Sequence, residues 1–180
     1  KAWVVAVDMG YGHQRTAYPL RFLAPGGKVI NVNNYEGISE KDRRRWKITR
    51  SFYEFISRFR RIPFLGEKVF HVMDSFQRIV GYYPRRSLSK PSLSLKSNLK
   101  SIRKGWGKDL IDRLKKKPIP LISTFFMPAF MAEEFDYPND IYCVICDTDI
   151  ARVWAPLESS KSRIKYFVPN SWTRGRLQLY

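Results

Sequence analysis

A chain of 180 residues with 44% hydrophobic and 15% aromatic residues can bury one sizeable core, which excludes a disordered polypeptide and is too short for two full α/β domains. No apolar run nears the roughly 20 residues that span a bilayer, and the longest, Leu121–Met131, is interrupted by Pro128. The net charge of +17 is confined to one stretch: residues 41–117 carry 23 basic and 6 acidic side chains, and the remainder is balanced.

The chain opens with Trp3–Asp8, a compact apolar strand with no signal-peptide pattern before it. Met9–Gly12 is a glycine-containing turn, His13–Leu23 has helical character up to Pro25–Gly27, and Lys28–Val32 is a second strand. The basic insert, about 41–117, follows. Ile48, Phe52, Phe55, Phe59 and Ile62 recur at helical spacing among Arg43, Arg44, Arg45, Arg50, Arg58 and Arg61. A second stripe, Leu65, Val69, Val72, Phe76 and Val80, comes after Pro63 and includes His71 as an ordinary helix residue. The third is Leu95, Leu99, Ile102, Trp106 and Leu110, beside Lys100, Arg103, Lys104 and Lys108. Ser87–Asn98, rich in Ser, Lys and Pro, reads as a flexible loop. The stripes are expected to face the core, with some of Trp46, Phe52, Phe55, Phe64 and Trp106 open to a lipid interface as the alternative.

After the insert, Pro120–Thr124 is a strand, Pro128–Phe135 a helix, and Ile141–Cys146 and Lys165–Val168 are strands. Ser171–Tyr180 is a helix capped by Asn170 or Ser171. The Cys143–Cys146 spacing lies on a β-branched run, where residues three apart point to opposite faces, so both are read as plain buried thiols in a reducing cytoplasm rather than a metal or redox pair.

Strands alternating with helices imply an α/β fold with a mostly parallel sheet and helices on both faces. Ligands gather beyond the carboxyl ends of such strands. That rule brings together the Gly10–His13 loop, Thr124–Met127 and the Asp147-Thr148-Asp149 segment. Gly10-Tyr11-Gly12-His13 suits close approach of a ligand to backbone N–H groups. Arg15 stands where a dinucleotide fingerprint would have its third glycine, which argues against that fingerprint. Asp8 ends the first strand and fixes the loop, while Asp149 is a cap candidate and Tyr11 and Phe126 are candidates to line a cleft.

Gly10-Tyr11-Gly12-His13 with Thr16, Ala17 and Leu20 resembles the Gly-x-Gly-His loop and small-residue helix of lipid-acceptor glycosyltransferases of GT-B fold. The pattern is similar to that of monogalactosyldiacylglycerol synthases, processive diacylglycerol glucosyltransferases and the enzyme that adds N-acetylglucosamine to a lipid-linked peptidoglycan precursor. A second block, Val144–Asp149, Trp154, Ile164–Ser171 and Arg174–Leu177, resembles their strand ending in Asp and the Ser-containing helix after it. The two blocks cover roughly a third of the chain, in order.

The resemblance implies that residues 1–180 form one N-terminal, acceptor-side Rossmann-like domain whose C-terminal donor domain is not in this chain, so the fragment is expected to be inactive alone. It implies inverting transfer of a sugar from a nucleotide donor, UDP-linked, to a lipid-linked or other membrane-associated acceptor, with no further cofactor and no metal. His13 would be the base or orient the acceptor, Asp147 would hold that histidine or be the base itself, and the amides of Gly10, Tyr11 and Gly12 would face the acceptor or the diphosphate. Phe126 and Asp149 would lie by the cleft. Arg43, Arg44, Arg45, Arg103 and Lys104 would meet an anionic membrane surface, making the protein cytoplasmic and peripheral. The alternatives are a nucleotide-sugar epimerase of the same fold and a nucleic-acid-binding basic domain, for which no recognition motif appears.

Overall fold

The computed structural model describes residues 1–59 and 79–180, and no side chains at 56–59. The whole second stripe except Val80, with His71, Phe64, Arg58, Arg61, Phe59 and Ile62, lies outside the described positions or side chains.

Five parallel strands make one sheet in the order β2-β1-β3-β4-β5. They are β1 (Trp3–Ala6), β2 (Ile30–Asn31), β3 (Leu121–Ser123), β4 (Ile141–Val144) and β5 (Ile164–Phe167). The chain runs from β1 to the β2 edge and then returns to place β3 on the other side of β1, so the order reverses between β1 and β3. That reversal is the switch point at which ligand crevices open in sheets of this kind. The architecture is the expected α/β, Rossmann-like one.

Alternation along β1 divides the core. Val5 belongs to the large apolar cluster on one face, while Val4 and Ala6 join Ala17 and Ala24 on the other. The smaller face is covered by α1 (Tyr11–Ala17) and the 3-10 turn Tyr18–Leu23. The larger face carries α3 (Leu93–Arg103), α4 (Lys108–Lys115) and α5 (Phe126–Glu134). Helix α5 is buried from Phe126 through Ala132, as a helix apolar all round must be. It starts two residues before the expected Pro128, because a proline in the first turn lacks only an N–H that would have no partner there.

Two expectations for the insert change. Helix α2 (Glu40–Phe59) does form, yet Ile48, Phe52 and Phe55 are 58%, 46% and 47% exposed. Among the described side chains of α2, the buried ones are instead Asp42 and Trp46. Trp46 packs on Trp106 with ring centroids 4.7 Å apart, and the Asp42 carboxylate accepts the Gly107 N–H at 3.0 Å. Burial pushes the Asp42 pKa up, against the pull of that N–H and of Arg45. Trp46 and Trp106 are therefore core residues, not lipid-facing ones. The third stripe does face the core, but it is two helices, broken where Gly105 and Gly107 take φ of 94° and 82°.

The segment read as a loop over Ser87–Asn98 ends at Ser92, whose hydroxyl accepts the Leu95 N–H at 3.2 Å and starts α3. Helix α6 (Ser171–Leu179) is capped as expected, with the Asn170 side chain accepting from Thr173 N at 2.8 Å.

Candidate functional site

Three segments converge at the carboxyl edge of the sheet, around the β1/β3 switch point. The first is the turn after β1. Gly10 has φ 118° and ψ 161°, a conformation essentially closed to side-chain-bearing residues, and from it the chain enters α1 at Tyr11. Asp8 braces this turn: its N–H donates to Asn33 Oδ1 at 2.8 Å, and its carboxylate accepts from Gln14 Nε2 at 3.1 Å and pairs with Arg50 of α2. Thr16 Oγ1 donates to the Gly12 carbonyl at 2.9 Å, and Ala17 is fully buried beneath.

The second is the loop after β3. The His13 Nδ1 lies 2.8 Å from the Thr124 carbonyl oxygen, and the Thr124 hydroxyl donates to the His13 carbonyl at 2.9 Å. A carbonyl can only accept, so Nδ1 carries the ring proton and Nε2 holds the lone pair. No partner of Nε2 occurs among the described residues. The Phe125 ring meets the imidazole edge-on at 4.9 Å and Trp154 lies at 6.0 Å. Burial among these rings lowers the His13 pKa below its ordinary 6.5, against the raising effects of the Asp147 charge and the Thr124 carbonyl. His13 is thereby kept neutral and basic at Nε2 near pH 7.

The third is the segment after β4. Asp147 is exposed at the same edge as His13 and acts on it through its charge, while the hydrogen bond expected of it belongs to Thr124. Cys146, read from sequence as a buried thiol, is only half-buried, and its Sγ sits 3.3 Å from His13 Nδ1 and 3.9 Å from Asp147 Oδ1. Cys143 is fully buried, as expected. Burial and the Asp147 charge push the Cys146 pKa up, with the Thr16 hydroxyl opposing, so the sulfur remains a thiol.

The other expected site residues have different surroundings. Phe126 is buried against Phe125, Phe130 and Trp154 rather than lining an open cleft. Asp149 is occupied: Arg176 grips both of its oxygens at 2.9 and 2.7 Å, and the Trp172 indole and Ile150 N–H donate to it. Tyr11 is 78% exposed, with the Arg15 guanidinium 5.9 Å from its ring centroid. In the insert, Arg43, Arg44 and Lys104 are exposed. Arg45 donates to the Ser101 carbonyl at 3.3 Å and Arg103 pairs with Glu134 at 3.5 Å.

Sequence reasoning missed Arg152 and Arg176. Both are buried, Arg176 donating to the Val80 carbonyl as well as to Asp149, and Arg152 donating to the carbonyls of Ser89, Ala155 and Pro156. Nothing in their sequence context separates them from surface cations. Among the described residues no three His, Cys, Asp or Glu side chains group as a metal site, and no helix is long and apolar enough to cross a membrane. Comparison of the chain with known protein families, curated proteins and solved structures found no match.

Proposed function

We propose that this chain is the acceptor-side, N-terminal domain of a nucleotide-sugar-dependent glycosyltransferase that moves a sugar from a UDP-linked donor to a lipid-linked or other membrane-associated hydroxyl, with inversion. The observation that carries the reading is His13, at the switch point, with Nδ1 tied to the Thr124 carbonyl and Nε2 left as a neutral base. In the reaction, Nε2 takes the proton of the acceptor hydroxyl as that oxygen bonds to the anomeric carbon. The bond from that carbon to the diphosphate breaks on the opposite face, and the diphosphate leaves with the electron pair. Asp147, through its negative charge, stabilises the imidazolium that forms.

The donor half of the site belongs, in this reading, to a C-terminal domain. In this reading the domain is cytoplasmic and meets an anionic membrane surface, a contact to which the exposed Arg43, Arg44 and Lys104 are suited, as is an open groove of about 400 Å³ where Lys96, Lys100, Arg103 and Lys104 surround Leu99 and Leu157.

The test uses the full-length natural polypeptide with UDP-glucose, UDP-galactose or UDP-N-acetylglucosamine, and vesicles containing diacylglycerol or an undecaprenyl-diphosphate-linked sugar. Transfer that drops roughly 10²-fold in His13→Ala supports the reading. Sugar interconversion without an acceptor would make it an epimerase. Absence of both reactions, with salt-sensitive binding to duplex or single-stranded nucleic acid, would replace the enzyme reading by the binding one.

A further inference from the structure

Among the described residues no hydrogen bond joins the Asp147 carboxylate to the imidazole, and the Cys146 thiol contacts both. Cys146 Sγ is 3.3 Å from His13 Nδ1 on one side and 3.9 Å from Asp147 Oδ1 on the other. The chemistry of these contacts is directional. A carboxylate can only accept, so the contact to Asp147 is made by the S–H proton. The sulfur lone pairs then face the Nδ1 proton, which is already donated to Thr124 O at 2.8 Å and is shared with sulfur. The sulfur also lies over the start of α1, where a side-chain carbon built at Gly12 would meet it at 3.7 Å, an ordinary contact.

We propose that Cys146 is a positioning residue through which Asp147 acts on His13, its thiol joined to the carboxylate and its sulfur to the Nδ1 side of the ring, so that Nε2 stays turned away from both. This rests on His13 being the reacting base, but the contact itself can be measured without any reaction. The alternatives around the ring are few. Among the described residues, the charge acting on His13 is that of Asp147 and the titratable side chain in contact with its ring is Cys146, both from the segment after β4. The loop after β3 presents the Thr124 carbonyl and the Phe125 ring, and the turn Arg152–Trp154 presents the Trp154 ring. On its own helix, the Thr16 hydroxyl donates to the Gly12 carbonyl and also faces the Cys146 sulfur, while the amide of Gln14 is held by Asp8. Among the described residues, the thiol is therefore the side chain that contacts both the histidine and the carboxylate.

A titration of the His13 ring by NMR, in this chain, decides it. The chain has two histidines, His13 and His71, so the resonance that vanishes in His13→Gln is assigned. Asp147→Asn is expected to lower the His13 midpoint in the parent, and to lower it less in a Cys146→Ala background. Cys146→Ser keeps a donor and an acceptor at that place, so it should restore the full effect of Asp147→Asn. An Asp147→Asn shift that is equal or larger in Cys146→Ala overturns the proposal, because the carboxylate would then act through space alone. So does a Cys146→Ser background that behaves like Cys146→Ala. Should Cys146→Ala fail to fold, Cys146→Val and the serine variant carry the same comparison. Loss of sugar transfer with this coupling intact would count against the glycosyltransferase reading and not against the relay.

Discussion

His13 and Thr124 are joined twice, the imidazole Nδ1 at 2.8 Å from the Thr124 carbonyl and the Thr124 hydroxyl at 2.9 Å from the His13 carbonyl. The pair ties the turn after β1 to the loop after β3 across the switch point of the sheet. One contact sets the tautomer and the other holds the backbone that carries the ring. Thr124→Val keeps the first and deletes the second, leaving the His13 carbonyl without that partner. Chemical denaturation should report a loss of about 1–3 kcal/mol; an unchanged midpoint would show that the hydroxyl contact carries no stability.

The lowered pKa of His13 has a definite signature in stability. The unfolded chain takes up a proton near 6.5, its ordinary value, while the folded chain does so only at lower pH. Between these values the unfolded state holds more protons, so stability is complete above about 6.5 and declines as pH falls toward the folded value. Comparing melting temperature against pH for the parent and His13→Gln should show this acid-side decline reduced in the variant. A decline on the alkaline side instead would mean that the imidazole is stabilised in its charged form.

Asp149 is structural in this account. Burial alone would raise its pKa, but Arg176, the Trp172 indole and the Ile150 N–H together lower it. Its contribution is present above the ordinary carboxylate value of 3.8 and is lost as pH falls through the lower, folded value. Asp149→Ala strands the 1%-exposed Arg176 and should cost about 3 kcal/mol. Folded Asp149→Ala should keep its His13 titration unchanged, and a shifted titration would return Asp149 to the site.

Gly107 is a test of how α2, α4 and α5 lock together. Its φ is 82°, its N–H is held by Asp42, and a side-chain carbon there would collide with the buried Met131. Gly107→Ala should therefore cost about 2–4 kcal/mol, from backbone strain and overpacking together. A thermal melt within a degree of the parent would contradict the packing described.

For the basic insert, Arg43→Ala with Arg44→Ala should weaken binding to phosphatidylserine vesicles by about fivefold per charge. Equal binding in co-sedimentation would leave these side chains as solvated cations.

The frame was legible in the sequence because parallel strands buried on both faces are short apolar runs, as Trp3–Ala6, Leu121–Ser123 and Ile141–Val144 are. The Gly10–His13 turn and Asp147 were legible too, since strand ends in this fold meet at one edge. Periodicity identified α2 but not its inner side: Ile48, Phe52 and Phe55 spell a stripe, whereas Asp42 and Trp46 are what the core receives. A buried carboxylate matched to a distant N–H leaves no mark on hydropathy. Composition misread Leu93–Asn98 because Ser92 is at once a loop-type residue and a helix cap. Cys146 escaped because β4 ends at Val144, so strand alternation no longer governs where its sulfur points.

The central claim is the state of one ring, and ¹⁵N-resolved NMR of His13 in the folded chain reads it directly. The account requires the neutral tautomer protonated at Nδ1, with a midpoint below 6.5. A proton found on Nε2 at neutral pH, or a midpoint above that value, would contradict it.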